Sequence, residues 1–388
     1  MDCQEGPSHI VRALSNPLQP LISRKIILIA TATIQQDSLF VNGLFQNIFL
    51  LYKLFDSIGY VPILLINDKP KEIQAVPAIM RHVRMMTVEE ISRCPIPVHF
   101  YIEIGMSVDK SLRKIFRMGG AKVIKLYLGN ILNIDIETPI FYNGMHFSHH
   151  IVGELDEIWV SPHYRQHHEY AAVLNQLNET NVKIAPYIWD PCVLTLNGAR
   201  NPRWRPRLPS EQETLVILEP NISFQKCSLV PILIAERYYR TKQTALNVFV
   251  GNGEKLLANP FFTGTILPSL TLARDKRIIF SGRHSILSIM NEYPHATAIC
   301  HQWNNQYNYM TLEYMYAGFP VIHNAADWHD GGYYYEKNSV VEGEKALTKA
   351  QFFHGISLEQ YTAGAEAIRW RHSLYNPDVQ KAWKELLV

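Results

Sequence analysis

The chain has 388 residues, 47% hydrophobic and 19% charged, which is the composition of a globular protein and the length of two or three domains. Disordered, collagen-like and coiled-coil chains are excluded. The 37 Lys and Arg against 35 Asp and Glu leave a net charge of +2, so no strong global field draws the protein to nucleic acid or to an anionic membrane.

The opening residues, MDCQEGPSHIVRALSNP, carry no basic segment followed by an apolar run, so no signal peptide is expected. Apolar stretches such as Lys25–Ala32 and Leu44–Phe55 fall short of the roughly 18 residues of a membrane helix. The five cysteines, Cys3, Cys94, Cys192, Cys227 and Cys300, form no CxxC pair, which points to a reducing, cytoplasmic setting.

A buried strand is predicted at Lys25–Ile34, a polar loop follows, and then an amphipathic helix over Leu44–Gly59. Its apolar residues Leu44, Ile48, Leu51 and Phe55 recur at helical spacing, and Gly59 serves as C-cap before the strand Tyr60–Asp68. This is a βαβ unit, which builds a parallel sheet with its ligand at the C-terminal strand ends. Strands are predicted at Val98–Gly105, Ala121–Asn130, Leu155–Pro162 and Val182–Pro191, with helices at Ser107–Gly120 and Tyr164–Leu177.

Asn197–Glu213 then interleaves Pro202, Pro206 and Pro209 with Arg200, Arg203, Arg205 and Arg207; proline breaks regular elements, so this reads as a solvated linker between domains. The alternation resumes with strands at Thr214–Pro220, Leu246–Gly253, Arg277–Arg283, Thr297–Trp303 and Phe319–Asn324. Helices are predicted at Cys227–Arg240, His284–Tyr293 and Tyr307–Ala317. The expected architecture is α/β, two Rossmann-like domains facing across a cleft. The expected boundaries are 1–196, a linker at 197–213, a second domain at 214–373, and a final helix within 374–388 that crosses back to the first domain.

The most specific segment is His301–Asn324, HQWNNQYNYMTLEYMYAGFPVIHN. A polar loop leads into a helix bearing one acid, Glu313, and the helix ends at Gly318 directly before an apolar strand. A helix N-terminus offers N–H groups to a phosphate, and a carboxylate on the same helix accepts the two hydroxyls of a ribose. Lys226, in LEPNISFQK after the first strand of the second half, stands where an open sheet places a ligand and suits a diphosphate.

The segment resembles the nucleotide-sugar motif of glycosyltransferases with the GT-B fold. In their large retaining family an acid is followed seven residues later by a second acid and Ala-Met-Ala-x-Gly-x-Pro-Val. Glu313, Gly318, Pro320 and Val321 match the second acid and its tail, which assigns Glu313 to the donor ribose. The first acid, which contacts the transferred sugar, is replaced by Asn305, so neither the sugar nor the stereochemical course follows from the likeness. The chain also resembles a poorly characterised family of predicted glycosyltransferases from bacteria and viruses, a domain of unknown function. That likeness lies at Glu219-Pro220-Asn221-Ile222-Ser223 with Lys226, at His301-Gln302-Trp303 with Asn308-Tyr309, and at Gly331-Tyr333-Tyr334.

The resemblance implies a metal-independent hexosyl- or pentosyltransferase with no cofactor. It takes a nucleotide diphosphate sugar as donor and a glycan or other hydroxyl as acceptor, in the cytoplasm, or in the host cytoplasm for a viral protein. The expected donor residues are Asn42, Gly43, Asn221, Ser223, Lys226, Trp303, Asn304, Asn305, Asn308, Tyr309 and Glu313. Asp37, His146 and His150 are candidate catalytic groups in loops before the first helix and before Leu155. His163 and His167 share a helical spacing, but without HExxH or a cysteine partner they read as structural rather than metal-binding. Asp135 and Glu137 are likewise discounted as a metal site. Tyr333–Tyr335 is either an acceptor wall or core. The alternatives are a nucleotide-sugar epimerase or hydrolase of the same fold and a non-catalytic nucleotide-sugar or glycan binder. A transferase acting on modified DNA bases is less favoured, because the net charge lends it no support.

Overall fold

The computed structural model describes residues 24–32, 43–70, 72, 74, 76–142, 153–195 and 202–388. They fall into two compact units, one within Met1–Asn197 and His372–Val388, the other within Gly198–Arg371.

The first unit carries β1 (Ile26–Ala30), α1 (Gly43–Ser57), β2 (Val61–Ile66), β3 (Met85–Thr87), β4 (Phe100–Glu103), α2 (Lys110–Met118), β5 (Lys122–Tyr127), α3 (Ile131–Phe141), β6 (Glu157–Val160) and β7 (Val182–Ile184). The strands form a seven-stranded sheet in the order β3-β2-β1-β4-β5-β6-β7, paired in parallel. Strand order reverses between β1 and β4, so their C-terminal ends flank the crevice of this sheet. Gly105 stands there because space is short: a Cβ on it would lie 3.1 Å from Leu44 Cδ2. Just before it, Glu103 is fully buried at the end of β4. It accepts from Tyr101 Oη at 3.0 Å, Arg113 Nη1 at 3.1 Å and Lys125 Nζ at 3.3 Å.

The strands are shorter than the apolar runs that announce them, because each run continues into the loop that leaves the sheet. β7 shows this most plainly. Only Val182–Ile184 pair with β6, and the rest of the run, through Trp189 and Asp190, packs as buried irregular chain. The helix expected over Tyr164–Leu177 begins as a tighter turn at Pro162–His167 and becomes α-helical only at His168–Leu174.

The second unit carries β8 (Glu213–Ile217), α4 (Leu229–Lys242), β9 (Leu246–Val250), β10 (Ile278–Phe280), α5 (Ile286–Glu292), β11 (Thr297–Ile299), α6 (Tyr309–Tyr316), β12 (Val321–His323), β13 (Tyr333–Tyr334), α7 (Val340–Phe353) and α8 (Leu358–Arg371). Its six-stranded parallel sheet runs β10-β9-β8-β11-β12-β13, with the reversal between β8 and β11. Both sheets are therefore Rossmann-like, with ligand crevices expected at the two reversals.

The proline- and arginine-rich stretch does not behave as a free linker. Trp204 N donates to Ala317 O and Arg205 N to Pro294 O, each at 3.0 Å, which straps residues 202–212 to the second unit. The arginines among the described residues of this stretch are spent internally; Arg200 lies outside them. Arg203 Nη1 donates to Tyr316 O, Arg205 holds Glu211 through both terminal nitrogens, and Arg207 Nη1 donates to Glu211 O. The second unit thus begins before residue 214. The chain returns to the first unit at His372, whose carbonyl accepts from Trp189 N at 2.9 Å. There α9 (Pro377–Leu386) buries Trp383 edge-on against Phe55 and Trp159, at 5.5 and 5.7 Å between ring centroids.

Candidate functional site

The reversal point of the second sheet gathers the loops that follow β8, β9, β11 and β12. After β8, Asn221 takes a left-handed conformation (φ 52°), which asparagine tolerates better than most residues. Its side chain is fully used. Oδ1 accepts from Ser228 N at 2.8 Å, and Nδ2 donates to Glu219 O and Asn252 O, each at 3.2 Å. Ser223 Oγ accepts from Gln225 N at 3.2 Å. Asn221 and Ser223 therefore build the loop, and the group this loop presents is Lys226, in the turn Phe224–Lys226. Burial lowers the affinity of the Lys226 amine for its proton, and the nearby Glu219 charge opposes that shift. A lysine held this way is poised to gain from an arriving anion.

After β11, His301 and Gln302 are buried, whereas Trp303 and Asn304 are exposed. Trp303 N donates to Gln225 O at 3.0 Å, tying this loop to the Lys226 turn, and its ring meets Phe224 edge-on at 6.3 Å. Asn304 also takes a left-handed conformation (φ 50°). Asn305 is buried and donates through Nδ2 to Gln302 Oε1 at 2.7 Å. Asn308 caps α6, its side chain accepting from Met310 N at 3.1 Å, and Tyr309 is the first helical residue. The N–H end of α6 thus opens at the crevice, and Glu313 lies buried one turn further along.

Asn324, after β12, locks this loop through its backbone. Its Oδ1 accepts from Gln302 N at 2.9 Å and its Nδ2 donates to Gln302 O at 2.8 Å. His301 Nδ1 meets Tyr335 Oη at 2.5 Å, and burial pushes the His301 ring down to about 4, so it is neutral at pH 7. Tyr333–Tyr335 resolves as edge strand and core. Tyr333 stacks on Tyr361 and bonds His354 Nδ1, and both Tyr333 and Tyr335 are buried. Gly332 (φ +63°) serves the same corner. A Cβ there would lie 2.6 Å from His323 Nε2 and from Met315 Cε. Gly332→Ala is expected to cost about 2–4 kcal/mol, from left-handed strain plus overpacking; urea denaturation measures it.

Of the remaining expected residues, Gly43 starts α1, while Asp37, Asn42, His146 and His150 lie outside the described residues. His163 and His167 are buried beside Tyr164, His167 stacking on it at 5.2 Å with a 6° tilt; burial lowers the His167 pKa. They are packing groups. Asp135, on α3, accepts from Tyr170 Oη. Among the described residues, no three His, Cys, Asp or Glu come together as a metal site, and no helix is long and apolar enough to cross a membrane. Glu219 and Gln302 stand at the same reversal and were not among the site residues expected from the sequence. An acid at the end of a strand reads as a surface charge until its burial is seen.

Several solved structures share this architecture. A glycosyltransferase from Rickettsia africae is 14% identical with a TM-score of 0.59, covering 94% of this chain and 98% of that one. Anabaena HepE, in complex with UDP and glucose, is 10% identical with a TM-score of 0.58, covering 94% and 99%. The pneumococcal O-GlcNAc transferase GtfA, in complex with UDP and GlcNAc, is 8% identical with a TM-score of 0.53, covering 94% and 99%. These likenesses establish the fold as GT-B. No curated protein sequence matches the chain. A family model described as a protein of unknown function, DUF2827, matches residues 27–387.

Proposed function

The chain belongs to the DUF2827 family, and from its fold and its site we propose that it is a glycosyltransferase using a nucleotide diphosphate sugar. The observation that carries this reading is the convergence, at one sheet reversal, of a partly buried lysine, the capped N-terminus of α6 and a buried acid on that helix. Lys226 takes the diphosphate, Glu313 the ribose, and the Asn304–Asn308 loop the phosphate and sugar. Positive charge and N–H groups held at the leaving diphosphate supply the stabilisation that a metal provides elsewhere. The three fold relatives described above, two of them with UDP and a sugar bound, agree with this reading. The acceptor, a glycan or other hydroxyl compound, binds the first unit. A reducing, cytoplasmic setting is in keeping with the free thiols of Cys227 and Cys300.

A panel of UDP- and GDP-sugars, read by thermal shift and by nucleoside diphosphate release, tests the reading. At about 100 times its Kd, the right donor is expected to add about 2.7 kcal/mol and raise the second unit's Tm by about 5–10 °C. Glu313→Ala is expected to abolish that shift. No response to any donor or free diphosphate overturns the reading, and an unchanged shift in Glu313→Ala overturns the ribose assignment. The neutral amide at Asn305 favours one competing reading, a nucleotide-sugar binding protein. Binding without release, with glycan acceptors present, would establish it.

A further inference from the structure

Glu219 is fully buried after β8, a placement that a carboxylate rarely takes without partners. Its partners lie across the sheet reversal. Oε1 accepts from His301 N at 3.1 Å and Oε2 from Gln302 Nε2 at 2.6 Å. Gln302 is fixed by Asn324 through both its backbone groups, and its buried amide is held between Glu219 and Asn305. An ionised carboxylate accepts and never donates. Gln302 must therefore turn Nε2 to Glu219 and Oε1 to Asn305, whose Nδ2 donates to it at 2.7 Å. The direction of the Asn305 amide is dictated from two side chains away.

We propose that Glu219 is a positioning residue of the donor site: through Gln302 it fixes the direction of the Asn305 amide, in the loop assigned to the phosphate and sugar. This rests on the reading of the Asn304–Asn308 loop given above. A one-way amide chain anchored on a charge is rigid, because reversing any one member leaves two donors or two acceptors face to face.

The anchor is sensitive to pH. Burial pushes the Glu219 carboxyl up to about 7, against the opposing pulls of His301 N–H, the Lys226 charge and the Gln302 amide. Cys227, on the same loop, and Cys300 and Tyr335, from the neighbouring strand ends, also face it; burial raises the pKa of all three and keeps them neutral. His301 is neutral as well. Above pH 7 the carboxylate sets the direction of the chain. Below it, a protonated Glu219 donates as well as accepts, and the direction is lost.

Glu219→Gln tests this. Its Oε1 still accepts from His301 N–H, which leaves Nε2 facing Gln302; Gln302 must flip, and Asn305 with it. Nucleoside diphosphate release is expected to fall roughly tenfold or more, with the Kd for UDP or GDP changed less than about threefold. The acid limb of the kcat profile near pH 7 is expected to disappear. Adding Asn305→Asp is expected to restore most of the rate, because a carboxylate there accepts from the flipped Gln302 whichever oxygen faces it. The single variant is expected to fold. A carboxyl whose native pKa lies above its usual 4.5 lends stability below that value and loses it as pH rises to about 7. At pH 8, Glu219→Gln should thus match or exceed the wild-type Tm. Wild-type kcat in Glu219→Gln, or no recovery in Glu219→Gln/Asn305→Asp, overturns the proposal. A second readout does not depend on turnover. The side-chain amide NMR signals of Gln302 and Asn305 are expected to shift together between about pH 6 and pH 8, and to stay still in Glu219→Gln. If the wild type turns over no donor, the transferase reading fails, and these signals alone decide the Glu219 chain: static signals in the wild type overturn it.

Discussion

Lys226→Ala is expected to lower nucleoside diphosphate release about 100- to 1,000-fold, the usual effect of removing one preorganised group from a developing negative charge. The reason lies in where the lysine sits. Its turn closes against the loop after β11 through Trp303 N and Gln225 O, so the backbone that carries the lysine is fixed. Burial has already stripped part of its water, and an incoming diphosphate meets a charge that is costly to leave unpaired. Lys226→Arg should recover only part of the rate, since a planar fork does not occupy the place of a compact ammonium. Steady-state release with the donor found by thermal shift measures both. A loss under tenfold in Lys226→Ala would remove Lys226 from the diphosphate site.

The second large effect concerns the first unit alone. Trp383→Ala is expected to destabilise it by about 3–5 kcal/mol, the range for truncating a buried tryptophan. Trp383 is 1% exposed and packs edge-on against Phe55 of α1 and Trp159 of β6; Leu374, Val379, Leu386 and Leu387 belong to the same apolar cluster. Its indole N–H finds no hydrogen-bond partner among the described residues, so Trp383→Phe, which deletes that group and keeps a ring, should cost only about 1–2 kcal/mol. Thermal unfolding resolves the two units: the first should melt earlier, while the donor-induced shift of the second persists. A single transition lowered for both units would overturn this division.

Much of this was legible in the residues. The βα alternation marks both sheets, and a helix bearing one acid before Gly318 marks the reversal point of the second. What escaped did so for physical reasons. β3 and β13, of three and two residues, are too short for any period to show. The proline-rich stretch looks like a tether because nothing in its composition reveals that Trp204 and Arg205 bond to the ends of neighbouring elements. Asn305 reads as the loss of an acid. Only the fold shows a carboxylate, Glu219, joined to it through a single glutamine. Side-chain polarity is set by burial and by partners distant along the chain, and neither is written in local pattern.

The return of the chain at His372 fixes an order of events during synthesis. The last strand of the first sheet ends at Ile184, yet the tryptophan that seals its core is residue 383, beyond the whole second unit. At about 5–20 residues per second, that gap is about 10–40 s of translation. Through that interval Phe55 and Trp159 lack their partner on α9, whereas the second unit, continuous in sequence, is complete at residue 371, before Trp383 is made. The second unit is therefore expected to be the first to mature, and the nascent first unit is the natural client for a chaperone that shields apolar surface.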